Sequence, residues 1–118
     1  MSHLDRCPID LVPLRQRYFQ DAREGQLHSL VSHLNRIAWY AERNDRTGAM
    51  PVMRESKFFI EWTAPAWPVE QQALLADAQL QLSIWGQGWG ARLSPANIAV
   101  EAQRWSEVIE RFRVLSLT

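Results

Sequence analysis

Three histidines, His3, His28 and His33, are the first side chains to suggest chemistry. On a helix turning about 100° per residue, His28 and His33 would lie roughly 140° apart around the axis, so they cannot chelate one ion together. Glu24 and His28 stand at i, i+4 and share a face, which is ligand spacing for a metal. A third ligand would have to arrive through tertiary structure, from Glu107 or His3. The pattern favours two solvent-facing histidines beside an apolar stripe, and no metal site is expected. Nucleophilic catalysis fares no better, because it needs an activated Ser, Cys or Thr with a base in reach. The single cysteine, Cys7, precedes a proline, cannot form an internal disulfide and lies in no Cys/His signature. The carboxylate pairs Glu107/Glu110 and Asp21/Glu24 fall among arginines and read as solvated surface charge. No catalytic, cofactor-binding or metal-ligating residue is therefore assigned, and the chain is expected not to be an enzyme.

The stretch SIWGQGWGARLSP, from Ser83 to Pro95, offers glycines at 86, 88 and 90. A phosphate cradle wants glycines after a strand and before a helix, so that backbone N–H groups converge on the ligand. Here the glycines follow a helical pattern, their spacing is G-x-G-x-G, and Arg92 is the only cation close by. They are read as punctuation, with Gly86 ending one helix in a left-handed C′ position and Ser94–Pro95 opening the next.

The aromatic residues are the real anomaly. Six tryptophans stand at 39, 62, 67, 85, 89 and 105, and large rigid aromatic surfaces serve either a core or an interface. Deciding between these requires the elements that carry them. In DAREGQLHSLVSHLNRIAWYAERN, residues Leu27, Leu30, Val31, Leu34, Ile37, Ala38 and Ala41 form one stripe at helical period. Trp39 falls about 140° from the centre of that stripe, beside Arg36 on the polar face. Upstream, Asp10 is a candidate N-cap with Pro13 in a first turn, and Gly25 allows a break. The AMPVMRESKFFIEWTAP segment reads as a helix opened by Pro51 and stopped by Pro65; a lone KFFIEW strand would lack a partner.

The next helix, opened by Pro68 at N1, has two apolar stripes. Val69, Ala73, Ala76, Leu80 and Ile84 lie on one side; Leu74, Leu75, Ala78, Leu82 and Trp85 lie on the other. A helix apolar on both sides is covered on both sides, by its own chain or by another. The final helix starts at Ser94–Pro95 and carries Ile98, Ala102, Trp105, Val108, Ile109 and Phe112, with Glu107 and Arg111 as an exposed pair. Linkers are expected at about residues 44–50 and 86–94.

Composition limits the function classes. With 47% hydrophobic and 22% charged residues, 118 residues suffice to bury one core, so a single domain over residues 1–118 is expected. Net charge is zero and both halves are balanced, which lacks the basic footprint of a nucleic-acid binder. The twelve arginines against one lysine are read as a compositional bias. No apolar run is long enough for a bilayer span and MSHLDRCPIDL has no apolar h-region, so a cytoplasmic chain is expected.

The box ESKFFIEWT (Glu55 to Thr63), followed by AQLQLSIWGQGW and then AQRWSEVIERF, resembles a group of small helical proteins from cyanobacteria, over roughly residues 27–112. The resemblance implies helix order and compactness and carries no activity, cofactor or site residue.

Together these features predict an all-α compact bundle of four to five helices. The expected function is a protein–protein interaction module, an adaptor or regulatory subunit that is homodimeric and docks through an apolar, Trp-rich helix face. The expected partner-binding residues are Trp39 and Arg36 in one patch, and Leu74, Leu82, Trp85 and Trp89 in another. The alternative is a binder of a flat apolar small molecule, with Phe59, Trp62, Trp67 and Trp85 lining a pocket and His28 or His33 orienting the ligand.

Overall fold

The computed structural model describes residues 11–116, apart from the side chains of Arg23 and Glu24. The expected cap Asp10, together with His3, Cys7 and the Glu24 side chain, lies outside the described residues. Five helices follow in order: α1 (Leu11–Gln20), α2 (Arg23–Glu42), α3 (Arg46–Thr63), α4 (Val69–Gly88) and α5 (Pro95–Leu115). A 3-10 turn, Ala64–Ala66, links α3 to α4. The fold is the all-α compact bundle that the periodicity predicts. Its radius of gyration of 14.2 Å is close to the roughly 13–14 Å of a folded chain this long, and its extents of 40 × 37 × 21 Å make it a thick slab.

α2 forms where the apolar stripe predicts it and is the middle of the fold. Leu27, Leu30, Leu34, Ile37 and Ala41 are sealed from water between α5, its most extensive neighbour, and α3. α1 is a separate helix because the chain breaks at Asp21–Ala22; Gly25 lies inside α2. The last turn of α1 is tied down by Tyr18. Its ring stacks on Phe59 at 4.3 Å, its hydroxyl donates to the Gln26 carbonyl at 3.1 Å, and it accepts from the buried Thr63 hydroxyl.

The linker expected at 44–50 is shorter than predicted. Asn44 takes a left-handed φ of 52°, and Asp45 caps α3 by accepting from the Gly48 amide at 2.9 Å. α3 therefore starts at Arg46, and Pro51 lies inside it on the exposed side. The KFFIEW run is helical. Pro68 is the N-cap of α4, one residue earlier than N1. At the far end, α4 continues through Gly86 to Gly88, correcting the expected stop at Gly86. The turn is made instead by Gly90, at φ 73°, whose amide donates to the Leu93 carbonyl at 2.8 Å. Ser94 and Pro95 open α5 as predicted, with the Ser94 hydroxyl accepting from the Asn97 amide at 3.1 Å.

The two stripes of α4 have opposite fates. Leu75, Ala78, Leu82 and Trp85 are buried in the core, and Trp89 beyond the helix end is buried with them. Leu82, Trp85 and Trp89 were expected to present a docking face, and the structure corrects this: their bulk fills the space over α3 and the α2 C-terminus. Trp89 is fixed there by its indole N–H, which donates to the Asn44 side-chain oxygen at 3.0 Å. Leu74 is half-buried at the margin. Val69, Ala73, Ala76, Leu80 and Ile84, the lighter stripe, face solvent.

Candidate interaction surface

Because α3 covers only one side of α4, the light stripe is left bare along most of the helix. Val69 is 78% exposed, Leu80 58% and Ile84 38%, with Ala73 and Ala76 exposed between them. The two alanines make the middle of the stripe shallow, and Val69, Leu80 and Ile84 rise around it. Val69, Ala73, Ala76, Leu80 and Ile84 thus form one continuous apolar strip on the outer side of the helix.

The borders of the stripe differ in charge. On the α3 side an open groove of about 480 Å³ adjoins it, lined by Arg54, Lys57, Phe58, Glu61, Ala76, Gln79, Leu80 and Ser83. Gln79 ties the groove floor together, donating to the Lys57 carbonyl at 3.1 Å and to the Glu61 carboxylate at 3.4 Å. Arg54 Nη1 is shielded from water and finds no hydrogen-bond partner among the described residues, a condition that buried polar groups seldom keep. On the opposite border, at helical positions about 80–100° from Val69, stand Glu70 and Asp77, both exposed. Among the described residues neither of these acids nor Arg54 nor Lys57 takes part in a salt bridge.

The second expected patch is assembled differently from the sequence reading. Trp39 is 50% exposed, and its cationic neighbour is Arg43, not Arg36. The Arg43 guanidinium lies 3.7 Å from the indole centroid while Nη1 donates to the Trp39 carbonyl at 2.9 Å. Arg36 is exposed and has no ion pair among the described residues. Arg43 is the i+4 neighbour of Trp39 and reaches its ring along one face of α2, whereas Arg36, three residues before it, does not. A further groove, of about 840 Å³, runs between α2 and α5 beside Ala38, Ala41, Ala99 and Val100.

The residues proposed for a flat ligand do not gather in one place. Phe59 and Trp62 belong to the cluster around Tyr18, and Trp67 meets Phe112 edge-on at 5.0 Å. Phe59 and Trp85 are buried. His33 is half-buried against Phe59, with Nε2 and Glu55 Oε1 2.9 Å apart, whereas His28 is exposed. No group of three or more His, Cys, Asp or Glu side chains among the described residues is placed to hold a metal ion. The expected Glu107–Arg111 pair gives way to two i, i+3 pairs, Arg104–Glu101 at 2.9 Å and Arg113–Glu110 at 2.7 Å. The hydrogen bond from Arg113 also pulls the Glu110 carboxyl below its ordinary value. No described helix is long and apolar enough to cross a membrane.

Comparison with protein-family models, curated proteins and solved structures finds no match to this chain. The functional reading rests on the surface itself.

Proposed function

We propose that this chain is a non-enzymatic protein–protein interaction module, an adaptor or regulatory subunit that docks through the outer face of α4. One observation carries the reading: a helix with two apolar stripes has one in the core and the other bare in water. Leaving Val69, Leu80 and Ile84 exposed forgoes apolar burial worth about 25 cal/mol per Å². A soluble helix without a partner on that side needs only polar residues there. The docking face accordingly moves from Leu74, Leu82, Trp85 and Trp89 to Val69, Ala73, Ala76, Leu80 and Ile84. Trp39 with Arg43 is a separate, smaller hot-spot candidate on α2.

The test is a photo-crosslinking amino acid placed at Leu80, with Gln103 on α5 as the control position, irradiated in the native cell. Covalent protein adducts are expected from position 80 and not from position 103, and a Leu80 probe carrying a second change, Ile84→Glu, should lose them. Absence of any adduct from position 80 in a folded, expressed chain overturns the proposal.

A further inference from the structure

We propose that the occupant of the α4 face is a second copy of this chain, docked with the two α4 helices parallel and the two-fold axis running along the stripe. This rests on the docking reading above and names its partner. The argument is the charge pattern across the stripe. Arg54, Lys57 and Glu61 border it on the α3 side, a net positive edge, and Glu70 and Asp77 border it on the other, a negative one. Lys57, whose carbonyl accepts from Gln79, stands about half a turn of α4 from Asp77 along the helix.

A two-fold axis makes a patch meet itself, and the axis direction decides which border meets which. With the axis along α4, left and right exchange while the level along the helix is kept. Asp77 of each copy then faces the Lys57 part of the other's groove, twice over. With the axis across α4, each border meets its own kind and Asp77 opposes Asp77. Only the parallel arrangement sets the net positive border of one copy against the negative border of the other, and the Asp77–Asp77 juxtaposition disfavours the antiparallel one. Shape agrees: Ala73 and Ala76 sit at the middle of the stripe, where small side chains let two helices approach closely, and Val69 and Leu80 pack around them. Zero net charge removes the overall repulsion that would oppose self-association.

The experiment is analytical ultracentrifugation of the full chain and of two charge variants, Asp77→Lys and Lys57→Glu, alone and mixed. The wild type is expected to sediment as a concentration-dependent dimer. Each variant alone creates two like-charge contacts and should dissociate about tenfold more readily. An equimolar mixture should recover dimer, because both contacts are again between opposite charges. Far-UV circular dichroism of each variant verifies the fold. Helix polarity is read independently by oxidising a Val69→Cys variant in a Cys7→Ser background. A parallel pair puts the two 69 positions together and crosslinks; an antiparallel pair sets 69 against 84 and does not. A mixture that fails to recover dimer, or a chain that stays monomeric at millimolar concentration, overturns the proposal. If the chain is monomeric but the Leu80 probe still captures a different protein, the second copy is refuted and the docking reading survives. If it is monomeric and the probe captures nothing, both fall.

Discussion

Leu80 and Leu82 make a controlled comparison within one helix. They are the same residue type, two positions apart, and nearly opposite around the axis. Leu82 is 0% exposed and Leu80 is 58% exposed. Truncating either to alanine removes the same atoms and leaves an equally good helix former. At Leu82 the removed atoms come out of a sealed core, and the loss combines transfer free energy with a cavity, about 2–5 kcal/mol. At Leu80 most of the side chain is already in water, so the change is about 0.5 kcal/mol or less. For a domain of this size each kcal/mol is about 3–5 °C in melting temperature, so Leu82→Ala should melt roughly 6–25 °C below the wild type. The assay is urea unfolding followed by tryptophan fluorescence and circular dichroism at two protein concentrations, so that any contribution from self-association is separated as the concentration-dependent part. Equal concentration-independent losses at the two positions, or a larger loss at Leu80, would refute the assignment of the stripes and with it the docking face.

Three further outcomes are expected. Burial raises the Tyr18 hydroxyl above its ordinary value of 10.0, so the native chain keeps a proton that the unfolded chain releases. Stability is full below about pH 10 and falls above it, by up to about 1.4 kcal/mol per pH unit. Tyr18→Phe should cost about 1–2 kcal/mol at neutral pH and flatten that fall, seen as urea midpoints between about pH 9 and 11; an unchanged slope in the variant would count against it. Asn44 combines a left-handed backbone with the bond to the Trp89 indole, so Asn44→Ala should cost about 1 kcal/mol more than Asn44→Gly, which loses the bond alone. Gly48→Ala should destabilise α3 by about 1–2 kcal/mol in thermal melts despite alanine's better helix propensity, because the new Cβ runs into the Tyr40 ring edge and Asp45.

Much of the fold was written locally. The stripes of α2 and α5 and the Ser94–Pro95 start are set by residues within one or two turns of each other, and they appear where periodicity and capping put them. The boundaries that moved depended on contacts far along the chain. Gly86 does not end α4 because the helix continues to bring Trp89 against Asn44, some forty residues earlier in sequence. α3 starts before Pro51 because Asp45 caps it, and a proline on the outer side of a second turn is tolerated once the cap is made. The docking face was half legible. Both α4 stripes were visible, but choosing between them needed side-chain volume: the Leu- and Trp-bearing stripe fills a core better than the alanine-centred one. The i, i+4 spacing of Trp39 and Arg43 was in the sequence, but the expectation placed Arg36 there instead; the Arg54–Lys57 border arises only when α3 lies beside α4.

The placement of α2 between α3 and α5 also sets a timetable. Its most extensive cover is α5, which begins roughly fifty residues after α2 ends. A ribosome adding about 5–20 residues per second needs several seconds to make that interval. For that time α2 lacks α5, its most extensive neighbour in the finished chain. A nascent chain halted in the loop before α5 would therefore be a client for holding chaperones, and protease resistance should arrive as a late step, when the last helix closes over the first long one.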